Sequence, residues 1–527
     1  MSANGETTLG DRLTEPVVNV SNFIWGGEWN GEPVSWLSIG GVAVPPMVII
    51  LLGIGLYIMI GLRFYPLRQL GSAFAGLFKG RKGSGGGEIS PFAALSTALS
   101  GQVGTGNLAG VAFAIAWGGP GAVFWMWVTA LIGMALAFAE GSLAIRYRER
   151  TPDGAYRGGP MSYITMGLGP KYTWLAILFC IGALFSALVT GNSIQSNEVA
   201  TGLNELFGIE RWVGGLVVAV AVFVVIIGGI KSIGNVAEKV VPFMAAAYIV
   251  LAIIALILNI GDLPETFSLI FTGAFNNQAA EGGFVGALII IAIRAGVARG
   301  LFSNEAGQGS TPIAHAVAQT DDPEQQGRMA MLGTFIDTMV ICTMTALVIL
   351  TVQGDFTGAG QAVDHVWQSD LSTVETAGVA TTIAAYAAAF PTVIAGVPLG
   401  TLVVSVALIL FVFTTLLTWS YYGERAITFI YDRVPGATMG GEKVLHVIWR
   451  VIWCIAIFVG ATQPSQLVWR LGDISNAAMA LPNLLALALL SGVVFKLARG
   501  DRKAGADHPV KGAGHQHRED PAETSQA

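Results

Sequence analysis

The chain has 527 residues, of which 53% are hydrophobic and only 12% charged, with a mean hydropathy of +0.63; soluble domains carry roughly a quarter charged residues, so this composition marks an integral membrane protein. The net charge of −6 says little about partners, because orientation in a bilayer follows the placement of Lys and Arg, and no footprint for nucleic acid is visible. Cys180, Cys342 and Cys454 lie in apolar runs without C-x-x-C spacing, which excludes a disulfide framework, a zinc site or an iron–sulfur cluster and leaves them as small core hydrophobes.

The chain opens MSANGETTLG, polar and acidic, without the basic and apolar regions of a secretory signal. Residues 1–43 are therefore expected as a segment outside the membrane. At about 20 apolar residues per spanning helix, eleven spans are predicted, near 44–62, 91–117, 120–145, 173–198, 212–230, 240–260, 283–318, 328–352, 398–421, 444–462 and 474–497. The seventh is apolar only in its first half. A shorter helix at 376–390, ended by Pro391, is expected to lie on the outer face. The transmembrane region is thus 44–497, and 498–527 reads as a disordered tail whose His508, His515 and His517 are compositional rather than metal-binding.

The loops 63–82, 146–172, 231–239 and 422–443 and the tail hold most of the basic residues. If these lie inside, 23 of the 28 Lys and Arg are cytoplasmic, only Arg12, Arg211 and Arg470 are outside, and Arg294 and Arg299 fall within the seventh span. The expected orientation is an outer N-terminus and a cytoplasmic C-terminus in a multi-pass protein of the cell membrane.

With the first span set aside, ten remain, as five and five: 91–260 and 283–497. The first helix of each half is apolar but interrupted by glycines and polar residues, in SGQVGTGNLAG (100–110) and RGLFSNEAGQGSTPIA (299–314). Paired broken helices point to an inverted-repeat secondary transporter. In hydrocarbon the freed backbone groups need partners. The amides of Thr105 and Gly106, at the positive end of the second half-helix, suit a carboxylate, and Gly104 and Gly106 let the backbone approach a ligand. The carbonyls from Ser100 to Val103 suit a small cation such as Na⁺. Close helix packing by small residues is the plain alternative for one glycine cluster; a nucleotide phosphate loop is not, since G-K-[ST] and a preceding strand are lacking.

These residues also carry a family resemblance. GQVGTGNLAGVAFAIAWGGPGAVFWMWVTALIGMALAFAE (101–140) resembles the signature of the alanine or glycine:cation symporter family, and the likeness recurs at GGPMSYI (158–164), GGIKSIG (228–234), GTFIDTMVICT (333–343), TLLTWSYYGE (415–424) and NAAMALPNLLAL (476–487). The resemblance implies an all-α membrane protein with an extra first helix and the five-plus-five inverted repeat of the sodium-coupled leucine-transporter fold. It further implies that the amides of Thr105 and Gly106 hold the substrate carboxylate. Carbonyls near Ser100 and Val103 would build one Na⁺ site with the hydroxyls of Thr414 and Thr415, and Gln102, Asn107 and the Ser303 region would line a second ion or substrate site.

Among polar residues within spans, Asp337 is the deepest lone acid, a candidate for the substrate ammonium or the ion site, with a buried arginine pair or a protonated acid as the structural alternative. Gln195 is a candidate to hydrogen-bond substrate, or to tie helices together. Phe302 and Trp419 are placed to limit pocket size, unless they are packing. Glu305 is expected to cap the second half of span seven, Arg299 to pair with an acid, and Glu140, near Arg146 and Arg148, to lie at the interface. The reading is a non-enzymatic symporter that imports alanine or glycine with Na⁺ by alternating access, without a cofactor, its partners being substrate, Na⁺ and lipid. A proton-coupled carrier through Asp337 is the alternative, and an ion channel a more distant one. The motifs H-E-x-x-H and G-x-S-x-G of intramembrane hydrolytic chemistry are absent.

Overall fold

The computed structural model describes residues 9–505 apart from 27, 30–31, 34–36, 40–41, 152–153, 276–284, 374–375, 395 and 502–503. The described chain is almost wholly helical, and its strands form only two-stranded hairpins in loops. An N-terminal helix α1 (Leu9–Trp25) precedes the first expected span, α2 (Pro46–Gly61), and a short α3 (Leu70–Lys79) leads to the first broken helix. That helix is α4 (Pro91–Gln102), one 3-10 turn at Thr105–Asn107, then α5 (Ala109–Gly118). Ser90 starts α4 by accepting the Ala93 amide at 3.0 Å, with Pro91 in the first turn.

The first half continues through α6 (Gly121–Arg146), α7 (Thr173–Leu188), a π turn at Val189–Ser193, α8 (Ile194–Phe207), α9 (Arg211–Ile226) and α10 (Gly229–Leu258). A helix α11 (Leu263–Phe275) leads towards the second broken helix, which is α12 (Val285–Asn304), a bend, and α13 (Thr311–His315). Then follow α14 (Pro323–Thr334), a π segment at Phe335–Cys342, α15 (Thr343–Thr351), the short α16 (Val379–Ala389), α17 (Leu399–Tyr431), α18 (Met439–Thr462) and α19 (Ser465–Leu497). Among the described residues seven helices or helix runs are long and apolar enough to cross a membrane by themselves, whereas α2 and α9 have 16 residues each and the two pieces of the first broken helix have 12 and 10.

The interior is the stack of α4, α5, α6, α12 and α14. By contrast α18 turns Val444, Val447, Val451 and Ile455 outward, the pattern of a lipid-facing helix.

Three expectations change. Residues 231–239, read as a loop, are the first turns of α10. Ile233 and Ala237 within them, and Ile230 and Val241 on either side, are buried at helical spacing, so an amphipathic stretch too polar for a span still packs as helix. Residues 263–275, left unassigned between spans, form α11, which packs on α6 where Gly121 and Gly273 bring two backbones together; a Cβ on Gly121 would stand 2.2 Å from the Gly273 carbonyl. Glu140, expected at an interface, is wholly buried. Helix α6 runs six residues further, about 9 Å of axial rise, before it reaches Arg146.

Candidate substrate and ion site

Helix α4 stops because Val103 turns to an extended conformation, φ −79° and ψ 92°. The next residue must be glycine: a Cβ on Gly104 would lie 2.7 Å from the Thr415 hydroxyl and 2.8 Å from Gln195 Oε1. At Gly106 the two broken helices meet, since a Cβ there would lie 2.9 Å from the Phe302 ring and 3.2 Å from Ser303 Cα.

The backbone groups freed by this break find partners, most of them distant in sequence. The amide of Thr105 donates to Gln195 Oε1 (3.0 Å) and that of Gly104 to Asn107 Oδ1 (2.9 Å). The carbonyl of Val103 accepts the Thr415 hydroxyl (3.2 Å), that of Gly101 the Trp419 indole N–H (3.3 Å), and that of Leu108 the Thr382 hydroxyl on α16 (3.1 Å). Ser100 donates to the Thr414 carbonyl (2.9 Å) and shares a hydrogen bond with Thr418 (2.5 Å). Thr414 and Thr415 both reach the Phe411 carbonyl, at 3.1 and 2.9 Å. One small region thus collects the oxygens of Val103, Phe411, Thr414 and Thr415. The hydroxyl of Thr105 and Oε1 of Gln102 are buried with no hydrogen-bond partner among the described residues.

The second break turns on Glu305, at φ +55°, followed by Gly307 and Gly309 at +81° and +90°. Left-handed conformations favour glycine, and Glu305 adopts one at a cost. Its carboxylate accepts the Trp419 N–H (2.9 Å) and the Ser310 hydroxyl (2.5 Å). The expected cap is therefore indirect: Glu305 reaches the start of α13 through Ser310. Asn304 accepts the Ala306 amide (3.0 Å), while Glu140 accepts the Gly307 amide (3.2 Å) and Asn483 Nδ2 (2.7 Å). Asn483 also donates to the Gly307 carbonyl (3.0 Å) and accepts the Tyr163 hydroxyl.

Asp337 joins the two breaks. Its carboxylate accepts Asn107 Nδ2 (2.7 Å) from the first and the Ser303 hydroxyl (2.8 Å) from the second, together with Thr338 (2.8 Å). Gln102 spans the same gap, donating to the Asn304 carbonyl (2.5 Å). The alternative of an arginine pair at Asp337 fails. Asp337, Glu305 and Glu140 are each at most 1% exposed, and among the described residues none forms a salt bridge.

Two aromatic residues flank the centre. Trp419 packs on Gly191, whose Cβ would lie 2.4 Å from the indole, on the α4 side. Phe302 lies on the α5 side, its ring 4.8 Å from that of Trp469. Beyond Trp469 a cavity of about 120 Å³ opens, lined by Phe113, Trp117, Glu198, Trp469 and Arg470. Arg299 pairs with Asp473 at 2.5 Å, as its expected acid, and lies 5.0 to 5.8 Å from the rings of Trp117, Trp469 and Phe302.

All fourteen residues singled out in the sequence, at Ser100, from Gln102 to Asn107 and at Gln195, Phe302, Ser303, Asp337, Thr414, Thr415 and Trp419, therefore border these two breaks. Sequence reasoning missed Thr382, Thr418, Glu140 and Asn483, and took Cys342 for a plain core residue. Cys342 Sγ lies 3.1 Å from the Ser303 hydroxyl and 3.3 Å from Asn107 Nδ2. No sequence signal marks it: the segment winds with the i→i+5 hydrogen bonds of a π-helix, which turns 337 and 342 towards one face, whereas the α-helical period separates them.

A membrane protein with two broken helices crossing at a polar centre belongs to the secondary transporters of the leucine-transporter type, and comparison agrees. The structure superposes on the crystal structure of MhsT in complex with L-phenylalanine with a TM-score of 0.50 at 11% identity, covering 80% of this chain and all of that one. The family model described as the sodium:alanine symporter family matches residues 36–509, and the chain belongs to that family. It is 41% identical to the sodium/alanine symporter AgcS of Methanococcus maripaludis, over 91% of this chain and 95% of that one. It is also 41% identical to the putative sodium/proton-dependent alanine carrier protein YrbD of Bacillus subtilis, over 85% and 87%.

Proposed function

We propose that this chain imports a small neutral amino acid, alanine or glycine, together with Na⁺. The observation that carries the reading is the meeting of the two breaks at Gly106 and Ser303, with Asp337 hydrogen-bonded to both. The substrate carboxylate binds the amides of Thr105 and Gly106 at the start of the α5 half, where the helix dipole favours negative charge. Gln195 Oε1, 3.0 Å from the Thr105 amide, holds a carboxylate oxygen's place and then turns to the bound substrate. Asp337, with Ser303 and Asn107, takes the ammonium end, and Gln102 ties the second break to the first. Phe302 and Trp419 close the centre on its two sides and keep the substrate small.

Na⁺ is a hard cation that takes oxygen ligands. The oxygens of Val103, Phe411, Thr414 and Thr415 supply a neutral oxygen set beside Ser100, and Asn107 lies on the opposite side of the break. Binding there ties α17 to the first break. Alternating access then moves the broken helices against the remaining bundle, in a membrane orientation with the basic loops in the cytoplasm and the N-terminus outside.

The test is uptake of labelled L-alanine into proteoliposomes under a Na⁺ gradient, a proton gradient or neither, with glycine, serine and glutamine as competitors. Accumulation that requires the Na⁺ gradient supports the reading. Accumulation under a proton gradient alone transfers the coupling to a carboxyl group, with Asp337 first, because no basic side chain pairs with it among the described residues.

A further inference from the structure

A basic cavity that shares no lining residue with the two breaks lies where the end of α2 turns into the next loop and meets the end of α19. It encloses about 190 Å³, and its lining includes Gly61, Arg63, Tyr65, Arg68, Phe495 and Arg499, with no carboxylate. Among the described residues none of the three guanidinium groups takes part in a salt bridge. The nearby acid Glu324 is engaged by the Tyr65 hydroxyl and by Arg328 at 4.0 Å.

The cavity is built rather than incidental. A Cβ on Gly61 would lie 2.0 Å from the Phe495 ring, so this glycine lets the ring seat against α2 as a wall of the cavity. The chain then turns through Arg63 and Phe64, with φ of 53° and 58°. Left-handed conformations are unfavourable for residues with side chains, and two in succession bend the chain so sharply that Arg63 and Arg68 share one cavity with Arg499. Gathering three like charges is itself unfavourable unless an anion joins them.

The surface beside the cavity indicates which anion. Along the last turn of α2, Tyr57 and Ile60 are 51% and 56% exposed, and Phe64 follows at 49%. The Tyr57 hydroxyl shares a hydrogen bond with Ser491 (3.1 Å) and its ring lies 6.1 Å from Phe495, so an apolar strip leads along α2 directly to the arginines. A polar anion from solution has no use for that strip, whereas a lipid has. The excess of basic residues on one membrane face explains a positive charge here, and either Lys or Arg would serve for that. All three bases in the lining are Arg, whose planar fork matches phosphate oxygens.

We propose that this cavity holds the phosphodiester headgroup of an anionic phospholipid, bound by Arg63, Arg68 and Arg499, with its acyl chains along α2. The lipid would clamp the first span to the last.

Native mass spectrometry of the purified full-length chain titrated with phosphatidylglycerol tests this. Attraction of juxtamembrane bases to anionic lipid amounts to roughly fivefold in affinity per residue. The triple variant Arg63→Gln/Arg68→Gln/Arg499→Gln is expected to weaken binding on the order of a hundredfold. The variant Lys231→Gln/Lys239→Gln/Lys443→Gln removes the same charge elsewhere and is expected to leave binding within about threefold. The single variants Arg68→Gln and Arg499→Gln carry the same comparison if the triple one does not purify. Equal weakening in both triple variants overturns the site in favour of diffuse attraction. Displacement of the lipid by inorganic phosphate at equal concentration overturns the lipid and leaves a free-phosphate site.

Discussion

The side-chain oxygen of Gln195 accepts the backbone N–H of Thr105 at 3.0 Å, across 90 residues of sequence. The amide it holds is the one freed where the first broken helix unwinds, so one side chain on α8 controls access to the group proposed to bind a carboxylate. The preceding π turn, Val189–Ser193, sets its direction. The side-chain Nε2 of Gln195 donates to the Thr190 carbonyl in that turn at 3.2 Å.

Replacing Gln195 by alanine is expected to raise the alanine concentration for half-maximal uptake by roughly 5- to 150-fold, the range for a buried donor left without its partner. Initial rates over a range of alanine concentrations at saturating Na⁺ check this. A lowered half-saturation with a reduced maximal rate would mean that Gln195 only fills the site while it is empty.

Thr415→Val keeps the side-chain shape and removes an oxygen that lies 3.2 Å from the Val103 carbonyl and 2.9 Å from that of Phe411. The expected result is a roughly tenfold or greater rise in the Na⁺ concentration needed for half-maximal uptake, the loss of about 1.4 kcal/mol of binding. Transport measured against Na⁺ decides it, and an unchanged Na⁺ curve removes Thr415 from the ion site.

Gly104→Ala puts a Cβ 2.7 Å from the Thr415 hydroxyl, whereas a Cβ on Gly53 meets nothing within 4 Å. Uptake by Gly104→Ala is expected to fall at least tenfold and that by Gly53→Ala to stay near wild type, because overpacking displaces neighbours and costs about 1–3 kcal/mol. Parallel uptake assays at matched protein levels compare the two.

Arg299 and Asp473 form a buried pair at 2.5 Å, with side chains 1% and 4% exposed. Breaking it with Asp473→Asn leaves the guanidinium without its counter-charge and is expected to destabilise the fold by about 3–5 kcal/mol. The double variant Arg299→Met/Asp473→Leu is expected to recover most of that loss. Thermal unfolding of the purified proteins tests both, and a single variant as stable as wild type contradicts a buried, energetically coupled pair.

Much of this protein is legible in its composition and spacing. Hydropathy marks the membrane region because a spanning segment must be apolar along its own length. The glycines of VGTGN and NEAGQG mark the breaks because a residue without a Cβ is a local requirement of the backbone there. The same motifs carry the family. These are properties that a short stretch of sequence possesses by itself.

Only the tertiary structure decided how the freed groups are satisfied. A carbonyl released at Leu108 accepts from Thr382, and an amide at Gly307 donates to Glu140; neither pairing has a signature in sequence, because any buried polar group of the right reach serves. Glu140 reads as interfacial when its helix is assumed to end nearby, and becomes a clamp on the second break once α6 is seen to continue. Cys342 looks apolar at the α-helical period and reaches Ser303 only because the chain there winds as a π segment. Hydrophobic burial is set by local patterning, whereas the polar centre of a membrane protein is fixed by non-local hydrogen bonds that must close in the absence of water.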